Sequence, residues 1–353
     1  MTLEKADSAG VVVLGDINVD VLGRLNSSEG LGADYLLPRF EMHSGGVGAN
    51  TAFTLARWGV PVRLLGAVGR DWFGDLALGL LRREGVDVSL VQRRDHTLTG
   101  LVFVAVTPDG QRTMFGSRGA NAEFHLPGEA GGYLEGSALV HLMGYNYLSQ
   151  TVAEAAHKLV RAARKGNTVV SIDLGLGPCQ ALPDKLLQMA RDTDAVFLSR
   201  EEAAALTGER EGRRAFHALE SAGIRDIVLK LGAQGCLFRE HGELRHAPAL
   251  SVQALDTTGA GDAFTATFLR AHLNRWPKEE AAMLANVAGA AAATTVGAGE
   301  CMPGPGEVER LLASKRLTAA WEPVRMRVLA RLGQEAKGAA PVRSEGGQNG
   351  VKT

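Results

Sequence analysis

The chain has 353 residues, 45% of them hydrophobic, and a formal charge of −1 at pH 7; it can bury one large core or two modest ones. So even a charge balance indicates no broad electrostatic partner, and neither nucleic acid nor a membrane surface is expected as one. The cysteines Cys179, Cys236 and Cys301 are far apart and form no Cys-x-x-Cys pair, which points away from zinc and disulfides and toward a reducing cytoplasm.

Met1 to Gly10 is polar and charged, the apolar run after it is only Val11 to Leu14, and no later run approaches bilayer-spanning length. A soluble cytoplasmic protein is expected. Val11 to Leu14 lacks alternation, the pattern of a strand buried on both faces, and Gly15-Asp16-Ile17-Asn18-Val19-Asp20 follows at its C-terminal end, where ligands bind in open parallel sheets. An extended chain puts Asn18 and Asp20 on one face, where an amide and a carboxylate can hold sugar hydroxyls. From these residues alone, solvated turn positions are the alternative. Ser44-Gly45-Gly46-Val47-Gly48-Ala49-Asn50 then opens a helix ending at Trp58-Gly59. As a dinucleotide fingerprint it is weak, because Thr51 takes the third glycine's place, and the chain holds no Walker A motif.

Arg63 to Ala67 reads as a strand and Trp72 to Glu84 as a helix stopped by Gly85. Thr99 to Thr107 and Arg112 to Gly116 form a hairpin through Pro108-Asp109-Gly110. With residues 20–43 this suggests a small sheet covering a site, and a dimer surface is the alternative use of it. Arg118, just after the hairpin, can reach a substrate carboxylate or phosphate, or be a solvated arginine. The βα rhythm resumes at Ala138 to Leu142 (strand), Thr151 to Arg164 (helix, Gly166 stop), Thr168 to Asp173 and Ala195 to Ser199 (strands). Helices at Glu201 to Leu206 and Arg213 to Ala222 and a strand at Asp226 to Leu231 follow, arguing for a doubly wound α/β domain with a mainly parallel sheet.

Val252 to Leu255 reads as a strand leading into Asp256-Thr257-Thr258-Gly259-Ala260-Gly261-Asp262, and helical spacing resumes from Phe264. Gly259 and Gly261 remove side chains that would keep a ligand from the backbone, so amides at a helix start can cradle a phosphate. A carboxylate beside a phosphate repels it unless it has chemical work to do, which makes Asp262 a candidate general base. A small-residue turn capped by an acid is the bland alternative. Lys278 to Thr295 is an alanine-rich helix, Glu307 to Leu312 and Trp321 to Leu332 are further helices, and Gly333 to Thr353 has little to bury and reads as disordered.

The two glycine-rich motifs, Gly45 to Asn50 and Asp256 to Asp262, resemble in order and context the ribokinase (pfkB) family of carbohydrate kinases, over roughly Val11 to Leu312. The resemblance implies a ribokinase-like, Rossmann-like α/β domain over residues 1–312, with a β-sheet lid at about 20–43 and 98–118 that often makes a homodimer, and an extension at 313–353. It implies ATP-dependent, Mg²⁺-requiring phosphorylation of a sugar hydroxyl, with Asp262 as base and the amides of Gly259, Ala260 and Gly261 as anion hole. Asn18, Asp20, Gly45, Gly46 and Asn50 match sugar contacts, and Glu202 matches the acid that organises Mg²⁺ through water. Gly232 and Gly235 match the nucleotide loop and Asn286 a contact to adenine, while Asp256 and Thr258 correspond to a monovalent-cation (K⁺) site.

The chain departs from the family pattern at three places. Val47 replaces a lysine of ribokinases, Ser199 an asparagine, and Gly144 falls near a substrate-binding glutamate. Ribose is therefore not implied. A nucleoside kinase on the same scaffold is the rival, with Tyr35, Phe40, Met42 and Phe115 as candidates for an apolar base slot. A non-catalytic sugar- or nucleotide-binding protein is the third reading.

Overall fold

The computed structural model describes residues 10–26, 35–37, 39–107 and 112–338. The chain runs through β1 (Gly10–Leu14), β2 (Asn18–Arg24), β3 (Phe40–Gly45), α1 (Val47–Arg57), β4 (Val62–Leu65), β5 (Ala67–Gly69), α2 (Trp72–Arg83), β6 (Gln92–Arg94), β7 (Gly100–Val106) and β8 (Arg112–Ser117). Strands and helices then alternate: β9 (Ser137–Met143), α3 (Gln150–Gly166), β10 (Val169–Asp173), α4 (Leu176–Ala181), α5 (Pro183–Arg191), β11 (Ala195–Ser199), α6 (Arg200–Thr207), α7 (Gly212–Ser221) and β12 (Ile227–Lys230). β13 (Cys236–Glu240), β14 (Glu243–Ala247), α8 (Ala260–Leu273), α9 (Lys278–Ala292), α10 (Pro305–Ala313) and α11 (Glu322–Gly338) complete it.

Eight strands form one sheet in the order β14-β13-β12-β11-β10-β9-β1-β4. The neighbours from β12 to β4 are parallel, and β13 and β14 add an antiparallel edge. The unbroken apolar run of β1 follows from this burial, since Val11 and Val13 enter one core while Val12 and Leu14 enter the other on the opposite face. From β1 the chain steps to β4 on one side and returns to β9 on the other. This reversal opens a crevice at the strands' C-terminal ends, the usual ligand position in such a sheet.

The smaller sheet, in the order β3-β2-β7-β8, stands apart from the main one. β7 and β8 pair antiparallel as the hairpin signal requires, while its turn at 108–110 lies outside the described residues. Among the described residues no helix is long and apolar enough to cross a membrane.

Several local expectations are corrected. Residues 252–255 form no strand. The sheet already ends at β14, Leu255 is 62% exposed, and the N–H groups of Leu255 and Asp256 turn instead to the Ala293 carbonyl. Asn167, not Gly166, ends α3 in the left-handed region at φ 55°, which a short amide side chain tolerates. The strand expected at Arg63 to Ala67 is split, with Ala67 passing into β5 and pairing with β6. The helices α4 and α5 have no counterpart in the sequence reading, because Gly177 and Pro178 inside α4 and Pro183 at the start of α5 look like loop punctuation. Residues 333–338 continue α11, which buries Val324, Val328 and Leu332 in the core shared with α9; residues 339–353 lie outside the described residues.

Candidate active site

A cavity of about 510 Å³ opens at the C-terminal ends of the parallel strands, lined by Val47, Tyr145, Asp173, Glu202, Lys230, Thr257, Gly261 and Asp262 among others. Asp262 sits in the first turn of α8, whose N-cap Gly259 adopts φ 75°. The first N–H groups of a helix have no intrahelical acceptor and carry the positive end of its dipole, so this end favours an anion. The Ala260 N–H is turned toward the Thr257 carbonyl at 3.2 Å.

Asn50 Nδ2 donates to Asp262 Oδ2 at 2.7 Å, and Asn50 Oδ1 accepts from the Gly299 N–H at 3.1 Å. The amide is thereby oriented from both ends, which aims the Asp262 carboxyl. Burial pushes that carboxyl up to about 7, against the Asn50 hydrogen bond and with the help of nearby Asp173. A carboxyl titrating there is matched to proton transfer at neutral pH. Asp256 does structural work: its carboxylate accepts from the Thr258 N–H at 2.7 Å and the Gly297 N–H at 3.0 Å.

Opposite Asp262 stands a charged group absent from the sequence reading. Lys230 Nζ donates to Asp173 Oδ2 at 2.6 Å, and Thr265 Oγ1 donates to the same oxygen at 2.7 Å. Burial opposes the Lys230 charge, but Asp173 and Glu202 outweigh it and its pKa is raised. Glu202 and Ser199 form the capping box of α6, Ser199 N–H donating to Glu202 Oε2 at 2.9 Å and Glu202 N–H to Ser199 Oγ at 3.2 Å. The Ser199 hydroxyl is therefore spent on the helix, while Glu202 lines the cavity with its pKa raised by burial.

Gly232 also lines the cavity. Gly235, at φ 93°, leaves no room for a Cβ beside the Ala247 carbonyl. Asn286 Nδ2 donates to the Ala247 and Pro248 carbonyls at 3.1 and 3.3 Å. Gly235 and Asn286 thus meet on one segment, the exit of β14.

The other end of the site lies where the small sheet joins the crevice. Asn18 is held by Asn121, whose Nδ2 donates to Asn18 Oδ1 at 2.7 Å and whose Oδ1 accepts from the Ile17 N–H at 2.7 Å. Gly45 packs against the Asp20 carboxylate, and Gly46, at φ 93°, packs against the Asp16 carbonyl so closely that a Cβ on either would collide. Burial raises the Asp20 carboxyl to about 6, opposed by His43. His43 Nδ1 lies 3.0 Å from Glu300 Oε1 and 3.8 Å from the Cys301 sulfur. Those two partners, the thiol first, push the imidazole up to about 10. Arg118 is part-exposed but not free: Nε and Nη2 grip Asp16 at 3.0 and 2.8 Å. Gly144 is fixed by packing, since a Cβ there would strike the Leu174 carbonyl.

Of the base-slot candidates, Phe40, Met42 and Phe115 do not gather on the Asp20 face. Strand register places Phe40, Met42 and Phe115 on the same face as Val21 and Phe103. Alternation puts Asp20 on the other face.

Lys230, Asp173, Tyr145 and Asn121 escaped the sequence reading. The first two end β12 and β10, and that position at the C-terminal end of a parallel strand was the available signal.

Residues 8–305 match the model of the pfkB family carbohydrate kinase. Among curated relatives, a ribokinase of Haemophilus influenzae is 27% identical over 83% of this chain and 95% of its own length. A 2-dehydro-3-deoxygluconokinase of Escherichia coli is 31% identical over 67% and 84%. A solved Arabidopsis thaliana ribokinase, complexed with ribose and ATP, superimposes with a TM-score of 0.76 at 25% identity, covering 86% of this chain and 98% of that one.

Proposed function

This chain belongs to the pfkB family and is an ATP-dependent carbohydrate kinase; for the chemistry of its site we propose that Asp262 takes the proton of a sugar hydroxyl while the Gly259, Ala260 and Gly261 amides receive the charge of the transferring phosphoryl group. The observation that carries this is Asp262 itself, aimed by Asn50, titrating near neutrality and sharing one cavity with the α8 N-terminus and Lys230. As the hydroxyl proton moves to the carboxylate, the alkoxide oxygen bonds to the γ-phosphorus, the bond to the β–γ bridging oxygen breaks, and ADP leaves. Such transfer depends on in-line placement and charge neutralisation rather than on covalent catalysis.

Lys230 supplies a fixed positive charge on the phosphate side. The residues present fit a hydrated divalent cation: Glu202 offers a buried carboxylate on the cavity wall suited to order its water. Mg²⁺, when bound, neutralises phosphate charge. Gly232, Gly235 and Asn286 shape the nucleotide side, and Asp256 and Thr258 the neighbourhood of a K⁺ ion. Asn18, Asp20, Gly45, Gly46 and Asn50 form the acceptor side. The relatives are named for different substrates, so the acceptor is proposed as a small carbohydrate.

We assign the exposed apolar face of the small sheet, with Phe40 54% and Phe115 51% exposed, to a second copy of the chain. A single-chain mass in solution would remove that assignment. The reaction is tested by ADP release from Mg·ATP across pentoses, hexoses, sugar acids and nucleosides, with and without K⁺. Acceptor-dependent turnover is expected. Its absence from folded, ATP-binding protein would return the non-catalytic reading.

A further inference from the structure

At the acceptor end the guanidinium of Arg118 meets the Asp16 carboxylate edge to edge, Nε to Oδ2 at 3.0 Å and Nη2 to Oδ1 at 2.8 Å. Asp16 is only 6% exposed. The pair belongs to the same clamp that sets Asn18, because Asn121, three residues beyond Arg118, holds both Ile17 and Asn18. It lies near the cavity without lining it: Tyr145 is on the cavity wall, and the charges of Asp16 and Arg118 both act on its phenol, after burial and Glu202.

A two-bond pair of this kind fixes the plane of the guanidinium and cancels its net charge. An anionic acceptor that took Arg118 for itself would leave the Asp16 carboxylate buried without a partner, which is strongly unfavourable. His43, beside Asp20, is likewise matched by Glu300, whereas Lys230, joined to Asp173 by a single contact, stands on the phosphate side. Among the described residues Asp20, which feels His43 and Glu300, and Asp262, which feels Asp173 and Asp20, add two further carboxyls. An acceptor carrying a carboxylate or phosphate therefore meets a neutral or negative wall.

We infer that the acceptor is an uncharged polyhydroxy compound, and that Asp16 is the specificity residue that keeps Arg118 from recognising sugar acids and sugar phosphates. The remaining N–H edge of Arg118 is left to donate to a hydroxyl or carbonyl oxygen. This rests on the kinase reading above and narrows its substrate class.

The test ranks uncharged acceptors (pentoses, hexoses, polyols, nucleosides) against aldonates, 2-keto-aldonates and sugar phosphates by kcat/KM, on the wild-type enzyme and on Asp16→Asn. The best uncharged acceptor is expected to lead the best anionic one by roughly 100-fold in the wild type. Asp16→Asn, which frees the Arg118 charge, narrows that ratio by roughly tenfold or more, chiefly through a lower KM for the anionic acceptors. A wild-type preference for an anionic acceptor would overturn the inference while leaving the kinase reading intact, and so would an unchanged ratio in the variant. Should the variant not fold, the wild-type ranking alone decides. Silence with every acceptor class would overturn the kinase reading, and this inference with it.

Discussion

The two halves of the site are built in different ways. On the phosphate side the groups ride on the main sheet and α8: Asp173 and Lys230 end neighbouring parts of one sheet, and Asp262 starts the helix beside them. On the acceptor side the contacts join strands of the small sheet to the large domain, such as His43 to Glu300 and Asn18 to Asn121. The first half is rigid because a packed core on both faces of the sheet fixes its strand ends. The second adds polar contacts to a narrower apolar seam, Val19 in the main core with Val21 and Leu101 against it, and on the proposed reading it is the part that opens and closes. Chemistry should therefore be carried by the rigid half, and selection and closure by the other.

The largest test of that division is Asp262→Asn, which removes the proposed base and leaves the Asn50 contact geometrically possible. We expect kcat to fall about 10²–10⁴-fold with the fold intact; near-normal turnover would remove Asp262 from the mechanism. If Asp262 is the base, its ionised carboxylate is the active form, so kcat/KM should rise with pH and level off above about 7. The same raised carboxyl has a stability consequence of opposite sense. A folded-state value above the ordinary 3.8 means that Asp262 contributes stability at low pH and loses it as pH rises toward about 7. Asp262→Asn should accordingly melt higher than wild type at pH 8, and a variant that is both inactive and less stable would argue for a structural role.

A smaller effect is expected at the seam between the halves. Gly46 enters α1 at φ 93°, where a Cβ would collide with the Asp16 carbonyl, a conformation that L side chains rarely adopt. Gly46→Ala should lose about 1–3 kcal/mol of stability by denaturant unfolding. If stability were unchanged, the seam would be softer than its packing implies.

The contrast between the halves also explains what the sequence disclosed. Features made by backbone leave local signatures. The Gly259-Ala260-Gly261-Asp262 turn and the Gly45-Gly46 entry to α1 announce themselves because close approach and left-handed φ demand glycine at fixed positions. β1 was legible because burial on both faces writes an unbroken apolar run. Features made by pairs of side chains leave none. Nothing near Arg118 announces Asp16, 102 residues away, and nothing near Lys230 announces Asp173, 57 residues away. Where local pattern and tertiary pairing disagreed, pairing won: the largely apolar segment at 252–255 found no strand partner beyond β14 and stayed irregular.

The smallest effect separates closure from chemistry. Glu300 holds the small sheet to the large domain through His43 Nδ1 at 3.0 Å and the Ser44 N–H at 3.2 Å. It does not line the cavity around Asp262. With the imidazole raised to about 10 by Cys301 and Glu300, the contact is an ion pair throughout the neutral range and weakens only as pH climbs through that value. The pair is partly exposed, so its net worth is modest, about 0.5–1 kcal/mol. Glu300→Gln keeps the shape and removes the charge. If the acceptor half serves closure alone, acceptor KM should rise roughly two- to fivefold while kcat and its pH limb near 7 stay in place. A fall in kcat with KM unchanged would show that the lid contact reaches the reacting atoms, and the division between a rigid chemical half and a mobile selecting half would fail.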